Sequence, residues 1–187
     1  MFNNIPPVTK NLLILNVLIY FITLFSLQSG SHLDAYLAGH YINSPLFEPY
    51  QIVTHMFSHS TTDFLHIFFN MFLLIMFGGH LERVWGAKRY FIFYVACGIG
   101  AFLLYNTIGF SYIMELKEQL IAMGNEAYNL EEITINGDFW GYLTSGDLSQ
   151  ADLYLEKLYK TGKISEETYN SPQALVDYLV YTNSSMV

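Results

Sequence analysis

Residues 54–86 read THMFSHSTTDFLHIFFNMFLLIMFGGHLERVWG, and this stretch decides the predicted fold. Its segment from 64 to 81 is apolar enough to cross a membrane, yet His66 and Asn70 lie near the start of that segment. Polar side chains at hydrocarbon depth are costly and rarely face lipid, so an intramembrane polar pair indicates a functional site. Residues four apart share one face of a helix, so the two side chains are predicted to lie about one turn from each other.

A longer polar stripe extends this pair toward the N-terminus. His59, Asp63, His66 and Asn70 follow the spacing i, i+4, i+7 and i+11, while the intervening residues are mostly Phe, Leu, Ile and Met. This pattern predicts one helix with a polar face that lines a wet cavity inside a bundle.

Composition divides the chain into an apolar first part and an acidic second part. Hydrophobic residues make up 52% of the 187 residues and charged residues only 13%. The four acids and four bases of residues 1–110 cancel, so the formal net charge of −8 lies entirely in residues 111–187. No basic patch is present to neutralise phosphates, which argues against nucleic acid as a partner.

The single cysteine, Cys97, lies in an apolar run and is interpreted as a small buried hydrophobe.

Three segments, at about 11–27, 64–81 and 90–110, are long and apolar enough to span about 30 Å of hydrocarbon. For the first of them a cleaved signal peptide is the alternative, although only a poor cleavage motif follows at residues 26–30. The remaining segment, 111–187, is predicted to be soluble and mostly helical. Its helix starts are Asp147 or Ser149, Ser165, and the pair Ser171-Pro172.

The basic residues of the first part predict the orientation. Arg83, Lys88 and Arg89 lie between the second and third spans, and Lys10 precedes the first span. The positive-inside rule therefore predicts a cytoplasmic N-terminus and an extracytoplasmic segment 111–187. We expect an integral membrane protein of a bacterial plasma membrane.

The region from residue 49 to residue 86 resembles the rhomboid family of intramembrane serine proteases. The resemblance is carried by Pro49-Tyr50-Gln51, Thr54-His55-Met56-Phe57-Ser58-His59, His66-x-x-x-Asn70 and Gly78-Gly79-x-x-Glu82-Arg83-x-x-Gly86. It implies an all-α polytopic membrane protein, with three transmembrane helices of a rhomboid-like bundle in residues 1–110. Residues 111–187 would then be an enlarged loop between the third and fourth family helices.

The resemblance also implies an activity, namely hydrolysis of transmembrane or membrane-proximal segments of other proteins by a serine–histidine dyad, without metal or other cofactor. Lipid and transmembrane protein substrates are the implied partners. His66 and Asn70 match the residues that donate hydrogen bonds to the oxyanion of the tetrahedral intermediate, which is a chemistry that both residue types can perform. Glu82 matches a glutamate that we interpret as a structural partner of a neighbouring element.

The chain departs from the family pattern at the nucleophile and the base. It contains no Gly-x-Ser-Gly motif, and no later helix carries a histidine. Gly98 and Gly100 form the nearest glycine pair within a span, but no serine accompanies them, and we expect them to allow close helix packing. We therefore expect these 187 residues to be an N-terminal piece of a rhomboid that is inactive as it stands.

Two other functions compete with proteolysis. The first is a catalytically inactive rhomboid-like protein that binds client membrane helices. The second is a membrane metal-binding or transport protein in which His55 and His59 ligate Zn²⁺ together with Asp63 or His66. No His-Glu-x-x-His pattern accompanies these histidines, so the sequence predicts no metal site.

Overall fold

The computed structural model describes residues 5–31, 33–135, 148–183 and 185–186. Helices dominate these residues. They are α1 (Pro7–Gln28), α2 (Leu33–Leu37), α3 (Gln51–Thr54) with the 3-10 turn His55–Phe57, α4 (Phe64–Leu73) with the π-helical turn Leu74–Gly78, α5 (Gly79–Trp85), α6 (Ala87–Ala122), α7 (Ala127–Ile135), α8 (Leu148–Lys160), α9 (Glu166–Asn170) and α10 (Gln173–Asn183). Two short strands are β1 (Gly39–His40) and β2 (Ser185–Met186).

Among the described residues, three helices are long and apolar enough to cross a membrane, which confirms the predicted all-α polytopic class. They are Pro7–Gln28, the continuous stretch Phe64–Trp85, and Ala87–Ala122. The third helix continues well past residue 110, where the predicted span ended. This helix contains no proline that would interrupt it. It ends at Ala122, two residues before Gly124, whose φ of 87° suits the end of a helix.

The chain divides into two compact units. The first comprises residues 1–39, 48–103 and 185–187, and the second comprises residues 40–47 and 104–184.

In the first unit, Glu82 caps the N-terminus of α1. Its carboxylate is almost fully buried and accepts hydrogen bonds from the backbone N–H of Val8 at 2.9 Å and of Thr9 at 2.7 Å. The Thr9 hydroxyl donates a third bond at 2.8 Å. The first N–H groups of a helix lack intrahelical partners, so this carboxylate satisfies two of them and complements the helix dipole. The prediction that Glu82 is a structural partner of a neighbouring element is confirmed.

This cap also fixes the relative direction of the first two spans. Because Thr9 lies in the first turn of α1 and Glu82 lies near the end of α5, the first span and the second run antiparallel. Lys10 and Arg83 therefore lie at the same end of the spans, and α6 starts at that end after Gly86. Gly86 itself has a φ of 81°, a conformation that other residues rarely adopt.

The glycine pair at residues 78–79 lets the third span approach the second. A Cβ atom on Gly78 would lie 2.2 Å from the Tyr90 hydroxyl oxygen, well inside van der Waals contact. Tyr90 is buried at this contact. Small residues at such positions allow membrane helices to pack closely.

We predict that Gly78→Ala destabilises the first unit by about 1–3 kcal/mol, because the added methyl group would displace the rigid Tyr90 ring. Gly100→Ala is the matched control. A Cβ atom there meets nothing within 4 Å, so this substitution should be neutral or stabilising by up to about 1 kcal/mol through helix propensity. Unfolding in one detergent would compare the two variants, and equal effects would contradict the packing role of Gly78.

The second unit is built from the C-terminal half of α6 and from the helices that follow it. Its core contains residues from each of the longer helices, including Leu120, Leu130, Leu155 and Leu175. Ser165 caps α9 as predicted, since its hydroxyl accepts a hydrogen bond from the Thr168 N–H at 3.1 Å.

The other two predicted helix starts in this unit are only partly observed. The predicted helix ending at Lys160 is present as α8, although Asp147, one of its two predicted start residues, lies outside the described residues. The last helix begins at Gln173, directly after the Ser171-Pro172 pair.

Candidate active site

His66 and Asn70 line one cavity of about 460 Å³ in the first unit. Both are half-buried on α4, one turn apart. On the same helix, the side chains of Phe68, Phe69 and Phe72 are about half exposed and point away from the cavity. The helix therefore has a polar side toward a cavity and an apolar side toward its surroundings, as expected for a membrane helix that borders a wet space.

The predicted stripe is wrong in its N-terminal half. Asp63 has an extended backbone and is the N-cap of α4, where its side chain accepts a hydrogen bond from the Leu65 N–H at 2.9 Å. The helix therefore begins at Phe64, and His59 lies in the preceding loop. His59 nevertheless lies in the site, since its ring centroid is 5.7 Å from that of His66. Asp63 does not line the cavity.

The hydrogen bonding of His66 determines which ring nitrogen can donate. The Ser60 backbone N–H makes a long hydrogen bond of 3.4 Å to His66 Nδ1. Because a backbone N–H can only donate, Nδ1 is the acceptor, and the proton of a neutral ring lies on Nε2. His66 therefore has an N–H donor available, and the Asn70 amide supplies further donors in the same cavity.

At Nε2, His59 offers a hydrogen-bond acceptor, whereas His66 offers a donor. Its Nδ1 donates to the Ser58 carbonyl at 2.6 Å, so the Nε2 of a neutral ring is an acceptor. Burial lowers the pKa of His59, the Ser58 carbonyl partly opposes this effect, and His66 lowers the pKa further. A lowered pKa favours the neutral form of the His59 ring.

His55 is held as a packing residue. Its Nδ1 is bonded to the Gln51 carbonyl at 2.8 Å, and its ring lies 5.4 Å from that of Phe102. Within the part of the chain that the structure describes, no group of three or more His, Cys, Asp or Glu residues is arranged to hold a metal ion. The competing zinc hypothesis, which needs His55 and His59 together with Asp63 or His66, therefore has no geometric support.

Five residues of the cavity come from other spans and were not predicted as site residues. They are Asn16 on α1 and Tyr94, Cys97, Gly98 and Ala101 on α6. Cys97 was predicted to be a buried hydrophobe, and this is wrong, because its side chain is exposed and borders the cavity. Gly98 allows the Met56 side chain to approach, since a Cβ atom there would lie 2.3 Å from the Met56 sulfur. Only the polarity of Asn16 within an apolar span could have marked it in the sequence.

Comparison with known proteins identifies the region that contributes most of the residues lining this cavity. Residues 46–115, which include α3 to α5 and most of α6, match the Rhomboid domain. Neither a curated protein nor a solved structure matches the chain significantly. We conclude that residues 46–115 are a rhomboid-family region, and that this match supports membership of the chain in the rhomboid family.

Proposed function

We propose that this chain provides the oxyanion-binding side of a rhomboid-like intramembrane serine protease. In this proposal His66 Nε2–H and the Asn70 amide donate hydrogen bonds to the carbonyl oxygen of a scissile peptide bond as it becomes negatively charged. The substrate is a transmembrane or membrane-proximal segment of another protein. The observation that carries the proposal is that these two donors line one cavity in a region that matches the Rhomboid domain.

The chemistry favours this role over simple packing. Donors fixed before reaction act strongly where water is sparse, because the local dielectric is low and no reorganisation is needed. The bond from the Ser60 N–H to His66 Nδ1 supports the proposal, since it keeps the donating proton on Nε2. Neither residue needs a charge for this purpose, which suits a site within a membrane.

The nucleophile and the base are proposed to come from residues outside these 187. The sequence contains no Gly-x-Ser-Gly motif. The same observation favours the second candidate, a rhomboid-like protein that binds client helices in this cavity without cleaving them. Cleavage of a model transmembrane substrate by the protein as its gene encodes it separates the two candidates. Cleavage that depends on Asn70 supports the protease, and binding without cleavage supports the second candidate.

The orientation is part of the proposal. Lys10 and Arg83 lie at one end of the antiparallel spans, and Lys88 and Arg89 follow in the first turn of α6. The positive-inside rule then places this end of the spans in the cytoplasm. The cavity lies near the start of α4, at the other end of the second span, and is therefore placed in the outer half of the membrane.

We predict that the 187-residue chain on its own is not labelled by a serine-directed fluorophosphonate. Ser58 lines the cavity and is the serine to be monitored. Labelling would be measured by intact-protein mass spectrometry in detergent, with a known serine hydrolase as the positive control. Stoichiometric labelling of Ser58 or of any other serine would contradict the proposal that the nucleophile lies outside these residues.

A further inference from the structure

Two acceptor atoms at the cavity residues have no donor. Asn16 Oδ1 and His59 Nε2 are both buried, and neither atom has a hydrogen-bond partner among the described residues. The Asn16 side chain also interacts with the Tyr94 hydroxyl, but Oδ1 itself remains without a donor. Asn16 is 1% exposed and His59 8% exposed, and both side chains line the same cavity as His66 and Asn70. A buried polar atom without a partner is rare and calls for an explanation.

The local bonding of each side chain explains why these two atoms remain acceptors. Asn16 Nδ2 donates to the Leu12 carbonyl at 2.7 Å, one turn back along its own helix. His59 Nδ1 donates to the Ser58 carbonyl at 2.6 Å. In both residues, the donating nitrogen is anchored to the neighbouring backbone, so the side chain cannot reverse its donor and acceptor ends without losing that bond.

The cavity therefore combines donors and acceptors in a way that suits a peptide backbone. His66 and Asn70 offer N–H groups, whereas His59 and Asn16 offer lone pairs. A peptide unit carries one strong acceptor, its C=O, and one strong donor, its N–H. An apolar ligand would leave all four groups unpaired, and an anion would satisfy only the donors.

We propose that His59 and Asn16 are substrate-binding residues that accept hydrogen bonds from backbone N–H groups of the bound peptide segment, while His66 and Asn70 bind its carbonyl oxygen. This inference rests on the proposed function and assigns two further residues to the same site. His59 and Asn16 orient the substrate backbone and take no part in bond making or breaking.

The test compares an amide with an ester. The probes are N-acetyl-trialanine amide and depsipeptides in which a single backbone N–H is replaced by an ester oxygen, one position at a time. Binding is measured by NMR titration of the 187-residue chain in detergent micelles. For the wild-type chain we expect ester replacement at the contacted positions to weaken binding about tenfold, the effect of one lost hydrogen bond.

Variants assign the effect to the two residues. The preference for an amide over an ester at a given backbone position of the probe should depend on these side chains. His59→Phe and Asn16→Leu should each abolish this preference at one backbone position. Phe72→Leu, which changes a residue on the exposed side of α4 outside the cavity, should retain the preference at every position. In the wild-type chain, the ¹⁵N resonance of His59 Nε2 should shift with the amide and not with the matching ester. This measurement does not depend on the folding of a variant.

Equal binding of amide and ester by the wild-type chain would overturn the inference, because it would mean that water or neighbouring groups satisfy the two acceptors. This failure differs from that of the proposed function. The proposed function fails if Asn70→Ala leaves proteolysis by the gene-encoded protein unchanged, whatever the amide preference.

Discussion

Asn70→Ala is expected to lower the kcat of substrate cleavage by about 10²–10³-fold in the protein as its gene encodes it, which corresponds to about 3–4 kcal/mol of transition-state stabilisation. The side chain is half-buried at the edge of a cavity, so its truncation removes few packing contacts. Its hydrogen bond is made mainly to charge that develops during the reaction, so KM should change little. The measurement is steady-state cleavage of a transmembrane substrate in proteoliposomes.

The controls for this prediction separate donation from packing. Asn70→Asp keeps the size of the side chain but replaces the donor with an acceptor, so it should lose at least as much activity as the alanine variant. Phe69→Ala alters the neighbouring residue on the exposed side of α4, where the ring is 55% exposed, and should keep most of the activity. If the alanine variant lost activity only in proportion to its thermal stability, Asn70 would be a packing residue.

Glu82→Ala is expected to cause the largest loss of stability, about 3 kcal/mol. The substitution leaves the part-buried N–H of Val8 and the buried N–H of Thr9 without acceptors, and each unpaired buried donor costs about 1–3 kcal/mol. Removal of a carboxylate from the N-terminus of α1 adds a smaller electrostatic loss. The free energy of unfolding would be measured by reversible dodecyl sulfate titration in mixed micelles.

Two further variants assign this loss to the cap. Thr9→Val removes only the bond from the threonine hydroxyl to Glu82, so we expect about a third of the effect. Glu118→Ala removes an exposed glutamate on α6 and should leave stability almost unchanged. If Glu82→Ala were as stable as Glu118→Ala, the cap would contribute nothing to the free energy of unfolding. The cap would then not explain the packing of α1 against α5.

Features that depend on local sequence were predicted well. The spans follow from the length and composition of apolar runs, and Ser165 was recognised as an N-cap because its hydroxyl acts on a residue three positions away. The His66–Asn70 pair was found because helical spacing places both side chains on one face. The same reasoning failed at Asp63, where an N-cap interrupted the assumed helix. A spacing rule cannot detect where a helix begins.

The sequence by itself determined three apolar helices, the polar pair on the second of them, and the acidic composition of the part that follows. Only the tertiary structure decided which groups meet across large sequence separations: Glu82 with the start of α1, and Asn16 and Cys97 with the cavity of His66. The physical reason is that hydrophobicity and helical periodicity act over a few turns. The partner of a buried polar group instead depends on how the helices pack, and the local sequence pattern does not determine that packing.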